Sequence, residues 1–141
     1  FGVTLAEAIA LAQRVLTCGQ VDYLDMSLWD VFKEPAEAGY GGKPLIDYFT
    51  RLERGSTRLG VAGKITTGAA AQACLDSGAD FVLIGRAAIL HKDFPQRVKE
   101  DAQFQSVALP VTRAWLRDQG LGPAFVDYMA TGWKGFVAAD D

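Results

Sequence analysis

The stretch GADFVLIGRAAIL, residues Gly78–Leu90, decides the fold of this chain. Phe81–Ile84 is a short apolar run with β-favouring residues, which predicts a buried strand. The run passes directly into Gly85-Arg86 and then into Ala87–Leu90, which has a helix-like composition. A strand followed at once by a helix is typical of α/β folds with parallel strands.

The same alternation of helix and strand extends toward the amino end. A first helix is indicated by Thr4 and Glu7, which form a capping-box pattern before a helical repeat of apolar residues. Pro44 is well placed to open a second helix. The predicted elements are a helix from Leu5 that Cys18-Gly19 ends, strand Val21–Ser27, a helix from Leu45 that Gly55 ends, strand Arg58–Gly63, helix Thr66–Gly78 and strand Phe81–Ile84.

A weak internal repeat accompanies this order. Asp22 and Asp80 both stand between an apolar and an aromatic residue, shortly after a glycine and at the start of a predicted strand. Repeating strand-helix units of about 30 residues occur in α/β barrels and in open doubly wound sheets, and the repeat alone leaves both open. Ligands bind at the other end of such strands. We therefore expect both aspartates to bond main-chain groups.

Composition limits the classes of function. Half of the 141 residues are apolar, 22% are charged and the net charge is -3, which predicts an ordinary globular domain with a core. Without a dense basic run or a long apolar run, neither nucleic acid nor a membrane is expected as a partner, and a cytoplasmic location is predicted. Cys18 and Cys74 are interpreted as buried free thiols. The chain begins with Phe1, so we expect it to be a piece of a longer protein.

The carboxyl ends of the last two strands predict a phosphate site. Gly63 and Gly85 follow these strands, and glycine lets the main chain come close to a ligand. Amides after each glycine can donate to phosphate oxygens, while Arg86 offers a bidentate contact and Lys64 a second positive charge. Each feature has an ordinary explanation as a turn or a solvated side chain. Their occurrence in adjacent units favours phosphate binding.

These residues also carry a resemblance to a known family. The stretch RLGVAGKITTGAAAQACLDSGADFVLIGRAAILHKDFPQRV, Arg58–Val98, resembles the end of the FMN-dependent NADH oxidoreductases of the Old Yellow Enzyme family. The shared elements are the glycine after the seventh strand, Gly-Ala-Asp before the eighth, Gly85-Arg86 after it, and Asp93-Phe94-Pro95. Val3–Ser27 resembles the preceding helix and sixth strand, and Leu109–Val137 is similar to the carboxyl extension of one branch.

The resemblance implies an α/β fold that is the carboxyl-terminal portion of a TIM barrel. Residues 1–101 would supply barrel strands six to eight, and residues 102–141 a helical extension packed on the barrel. In the family, main-chain amides at two strand ends and an arginine hold the FMN phosphate, and NAD(P)H is the electron donor. The matching positions are Ala62, Gly63, Gly85 and Arg86. Lys64, beside them, is also counted as cofactor-binding and stands where the family often has glycine or another residue.

The family's catalytic groups have no counterpart here. Its His-His or His-Asn pair and its proton-donating tyrosine lie on earlier strands, so no catalytic or metal-binding residue is predicted and the isolated chain is expected to be inactive. His91, the sole histidine, is interpreted as a surface residue. Trp29 and Asp30 follow the productive end of a strand, where they either reach a substrate pocket or belong to a loop over the barrel mouth. Unpaired sheet edges predict a homo-oligomer or association with the missing amino-terminal part.

Three functions remain open from the sequence. The first hypothesis is that the chain is part of an FMN-dependent NAD(P)H oxidoreductase that reduces an activated alkene or similar acceptor. The second is that it belongs to another phosphate-binding barrel of the aldolase or isomerase type, in which Gly63, Gly85 and Arg86 hold a substrate phosphate. The third is that it is a non-catalytic scaffold that binds through its exposed edges.

Overall fold

The computed structural model describes residues 2–139, which divide into two compact units. The first unit contains the chain up to Ile65 together with Ala69–Ile84. The second contains Thr66–Gly68 and the chain from Gly85 onward. The predicted boundary at residue 101 stays a prediction.

A helix and a strand open the first unit. Helix α1, Leu5–Thr17, begins with the predicted capping box, in which the Thr4 hydroxyl accepts from the Glu7 amide and the Glu7 carboxylate accepts from the Thr4 amide. These contacts satisfy amides that the first helical turn leaves unpaired. Strand β1, Tyr23–Ser27, follows and is two residues shorter than predicted at its start.

The remaining elements of the first unit complete a three-stranded parallel sheet. Its order is β1-β2-β3, and each strand pairs with the next one along the chain. Parallel neighbours need a crossover connection, which helices supply here. The elements after β1 are α2 (Leu45–Thr50), β2 (Arg58–Ala62), α3 (Gly68–Asp76) and β3 (Phe81–Leu83).

One face of the sheet carries the core of the first unit. Leu59 and Val61 of β2 are fully buried, because the strand alternates its side chains between the two faces and these point toward the helices. The buried set is Ala12, Leu16, Leu28, Val31, Ile46, Phe49, Leu59, Val61, Ile65, Ala71, Cys74 and Ala79. The helices thus cover one side of the sheet.

The opposite face of the sheet is largely exposed. Tyr23, Asp25 and Ser27 of β1 all point to this face and are exposed. Beside them the Phe81 ring lies over Gly60, where a β-carbon would come within 2.2 Å of the ring. A side chain at residue 60 would therefore require the Phe81 ring to move.

Sequence reasoning found the element types and most of their positions. The structure is a mixed α/β fold with an open parallel sheet, as the alternation of apolar segments predicts. Observed helices are shorter than predicted: α3 ends at Asp76, and α2 ends at Thr50 although apolar spacing continues to Leu52. Strands β2 and β3 each end one residue early, at Ala62 and Leu83.

The second unit is helical. Its small core consists of Leu90, Val111, Leu116, Val126, Met129 and Phe136. The Trp115 indole donates to the Leu90 carbonyl at 3.0 Å, which ties two of its helices together. These helices are α4 (Arg86–Leu90), α5 (Phe94–Glu100), α6 (Arg113–Asp118) and α7 (Pro123–Gly132).

The two cysteines differ in their surroundings. Cys74 is buried in the first unit as predicted, and this burial raises the pKa of its thiol to about 11. The prediction for Cys18 was wrong, because this residue is exposed just after the end of α1. Among residues 2–139, no helix is long and apolar enough to cross a membrane.

Candidate functional site

The three strands of the sheet end at one edge. Ser27 pairs with Ala62, and Ala62 pairs with Leu83, so the last residues of β1, β2 and β3 are in register. The segment after β1 starts at Leu28, whose amide donates to the Ala62 carbonyl at 2.8 Å. Ligands of parallel α/β sheets bind beyond such an edge.

Gly63 is held against the loop that follows β1. Its φ is +150°, and a β-carbon would lie 2.9 Å from both the amide nitrogen of Asp30 and the carbonyl carbon of Trp29. The Gly63 carbonyl accepts from the Val31 amide at 3.3 Å. The glycine predicted to approach a ligand thus makes a close approach to the main chain of the protein itself. Its contact with phosphate stays a prediction.

Lys64 adopts a left-handed main-chain conformation and forms an ion pair. Its φ is +50°, which few residues other than glycine adopt without strain. The Lys64 ammonium lies 3.1 Å from a carboxylate oxygen of Asp30, and about half of its side chain is exposed. The positive charge predicted for phosphate binding is therefore already paired with a carboxylate.

Gly85 and Arg86 lie in the second unit, whereas Ala62, Gly63 and Lys64 lie in the first. Gly85 precedes α4, and its carbonyl accepts from the amides of Ala88 and Ile89 at 3.0 and 3.3 Å. A β-carbon on Gly85 would meet nothing within 4 Å, and its φ and ψ are -88° and -97°. Packing does not require glycine at this position.

Arg86 is the first residue of α4, and its side chain is exposed as a phosphate ligand requires. In the part of the chain that the structure describes, no salt bridge engages its guanidinium. The guanidinium of Arg86 thus forms no salt bridge within residues 2–139, whereas the ammonium of Lys64 is paired with Asp30.

The prediction that His91 is a surface residue was wrong. Only 4% of it is exposed, and its Nε2 accepts from the Val107 amide at 2.9 Å. The ring packs edge-on against Phe104 and Trp115, at centroid distances of 5.1 and 5.7 Å. Desolvation lowers the pKa of His91, the charge of Arg97 lowers it further, and Asp93 partly offsets both. His91 is a neutral core residue of the second unit.

The structural interpretation of Asp80 is confirmed. Its carboxylate accepts from the Leu59 amide at 2.7 Å and from the Arg54 guanidinium at 2.8 Å. The Asp80 amide in turn donates to the Leu59 carbonyl. Asp22, just before β1, differs because its main-chain carbonyl is the group that accepts from the Arg58 amide. These bonds set the register between neighbouring strands.

An open groove of about 810 Å³ lies on the first unit. It is lined by residues before and at the start of β1, from Gly19 to Tyr23, and by Ser56, Arg58, Phe81 and Leu83. None of the five predicted cofactor-binding residues lines it. No group of three or more residues able to hold a metal ion occurs within residues 2–139.

Sequence reasoning missed the contact between the loops after β1 and β2. Trp29 and Asp30 were recognised only by their position after a strand. The pairing of Asp30 with Lys64 and the left-handed conformation of Trp29 have no signal in the sequence, because both depend on the register of two strands distant along the chain.

In comparisons with protein-family models, with curated proteins and with solved structures, none matches this chain.

Proposed function

We propose that this chain is part of an FMN-dependent NAD(P)H oxidoreductase of the Old Yellow Enzyme type. In this proposal it forms the last three strand-helix units of a TIM barrel and supplies groups that bind the FMN phosphate. It supplies none of the catalytic residues. The bound flavin would accept hydride from the nicotinamide and pass it to an activated alkene or similar acceptor.

The observation that carries the proposal is the run of consecutive parallel strands that end together at Ala62 and Leu83. In α/β barrels the loops after the last two strands form a recurring phosphate site. The loop after β2 begins with Gly63. The loop after β3 begins with Ile84 and continues with Gly85 and Arg86. The amides that follow each glycine and the guanidinium of Arg86 are suited to phosphate oxygens.

The exposed face of the sheet is a further observation in favour of the proposed barrel. Tyr23, Asp25 and Ser27 are exposed on one face of the three-stranded sheet. Within residues 2–139, the outer edges of β1 and β3 pair with no further strand. A barrel removes sheet edges and fills its interior with side chains from all strands. Further strands, from the remainder of a longer chain or from a second copy, would cover this face.

The test uses the protein expressed from its complete gene, supplied with FMN and freed of excess flavin. We expect a retained flavin absorbance band and an FMN dissociation constant that rises at least tenfold in Arg86→Ala, because a charge-assisted phosphate contact is lost. Arg117→Ala is the matched control, since Arg117 is an exposed arginine of the same unit. It should leave FMN affinity unchanged.

Other outcomes separate the alternative functions. If inorganic phosphate binds in an Arg86-dependent manner while FMN binds no more tightly than phosphate, the chain belongs to a barrel of the aldolase or isomerase type. If neither binds, the phosphate assignment is wrong and the scaffold function remains. Equal FMN affinities of Arg86→Ala and the parent protein would also overturn the assignment.

A further inference from the structure

Trp29 is the central residue of an unusually tight turn. The Asp30 amide donates to the Leu28 carbonyl at 2.5 Å, which closes a three-residue γ-turn around Trp29. The φ of Trp29 is +59°. A γ-turn with positive φ at its centre is rare and strained, and a bulky residue in this conformation is an outlier.

The indole of Trp29 is exposed to solvent, although nearby residues of the same loop are buried. Trp29 is 78% exposed, whereas Leu28 and Val31 on either side are 9% and 1% exposed. Their burial anchors the turn on both sides in the core of the first unit. The exposure of the ring therefore follows from a fixed main chain and not from a loose loop.

The turn is also fixed to the end of β2. Leu28 donates to Ala62 and Val31 donates to Gly63, and the Asp30 carboxylate binds the Lys64 ammonium. The two non-glycine residues with positive φ among residues 2–139, Trp29 and Lys64, thus lie in the two loops that these contacts join. Strained main chain of this kind concentrates at functional sites.

We propose that the Trp29 indole is a stacking platform for a flat heteroaromatic ring of a ligand bound at this edge of the sheet. The ring belongs to the flavin or to a nicotinamide nucleotide. The location beside Gly63 rests on the proposed function, while the stacking contact is additional to it. Glycine would make the same turn without strain, so the turn alone does not explain an exposed tryptophan. An indole face binds flat rings of many kinds.

The direct test follows the indole N–H resonance of Trp29 by NMR in the protein expressed from its complete gene. The resonance is identified by its loss in Trp29→Phe. The probes are riboflavin, which has the flavin ring without the phosphate, and nicotinamide mononucleotide. We expect the Trp29 resonance to shift with one or both probes. Trp115, whose indole is bonded to the Leu90 carbonyl, should not shift.

Substitutions separate stacking from a structural role. Trp29→Ala should weaken binding of the active probe roughly 5- to 100-fold, as expected for loss of one ring stack, and Trp29→Phe should retain most of the affinity. Trp29→Gly should melt at a higher temperature, because glycine relieves the left-handed strain, and should bind as weakly as Trp29→Ala. Tyr23→Ala removes an exposed aromatic residue at the other end of β1 and should leave the binding of both probes unchanged.

The outcomes distinguish this inference from the proposed function. If FMN binds in an Arg86-dependent manner while neither probe moves Trp29, the inference is wrong and the function stands. If nicotinamide mononucleotide moves Trp29 while FMN does not bind, the inference stands and the FMN proposal fails. An unshifted Trp29 with both probes at saturating concentration, or equal affinities of Trp29→Ala and the parent protein, overturns the stacking platform.

Discussion

The α-carbon of Gly63 lies so close to the main chain of Asp30 that a β-carbon on it would be 2.9 Å from the Asp30 nitrogen. Real β-carbons do not approach main-chain atoms this closely, and the loop after β1 is held by hydrogen bonds from Leu28 and Val31. The contact therefore joins the ends of β1 and β2 in a way that only glycine permits.

Gly63→Ala should destabilise the protein by about 2 kcal/mol or more, since overpacking against main chain adds to the strain of the positive φ. The free energy of unfolding from urea titration measures this. Gly41→Ala is the control, because a β-carbon on Gly41 meets nothing within 4 Å. Equal losses in the two variants would show that the contact at Gly63 is unimportant.

Asp80 supplies a second test of the sheet. Asp80→Ala removes the acceptor of the Leu59 amide and the partner of Arg54, so we expect a loss of about 1–3 kcal/mol of stability. Asp80→Asn keeps an acceptor for the amide and should lose less. Arg54→Ala should cost under about 1 kcal/mol, because ion pairs near the surface contribute little. A larger effect of Arg54→Ala than of Asp80→Ala would contradict this ranking.

Features that depend on near neighbours along the chain were predicted correctly. The capping box at Thr4 and Glu7 and the alternation of apolar segments depend on near neighbours, and both were found. His91 and Cys18 were misplaced because each follows a helix, where sequence position alone does not fix burial. His91 is covered by Phe104 and Trp115, which lie 13 and 24 residues further along the chain.

The candidate site shows the same limit. Because Gly63 and Gly85 each follow a strand, both were predicted to let a ligand approach the main chain. At Gly63 the loop after β1 occupies the space beside the α-carbon, whereas at Gly85 nothing lies within 4 Å of a β-carbon position. The positive charge of Lys64 was counted for phosphate, whereas the structure pairs it with Asp30. The Lys64 φ of +50° is one that glycine adopts freely and that lysine rarely adopts.

His91 should make stability depend on pH. Its folded-state pKa is lowered, so the unfolded chain binds the proton first as pH falls below about 6.5. Stability present above that pH is then lost as pH falls toward the folded-state pKa, with a slope of at most one proton per molecule. Protonation of Nε2 would also break the bond from the Val107 amide.

Urea titrations between pH 7.5 and 5 measure this dependence. His91→Gln is the matched variant, since its amide oxygen is an acceptor for Val107 and does not titrate in this range. The variant should be less stable at pH 7.5 and should lose less stability on acidification than the parent protein. Identical slopes in the two proteins would contradict the neutral buried state of His91.

Gly85 separates ligand binding from folding. Because a β-carbon there meets nothing within 4 Å, Gly85→Ala should destabilise the protein less than Gly63→Ala, whose β-carbon would meet main-chain atoms. If phosphate approaches the main chain at this glycine, the added methyl group should weaken FMN binding tenfold or more. Affinity for riboflavin, which lacks the phosphate, should not change. A Gly85→Ala protein that binds FMN as tightly as the parent would place the phosphate elsewhere, whereas equal losses for FMN and riboflavin would point to the ring and not to the phosphate.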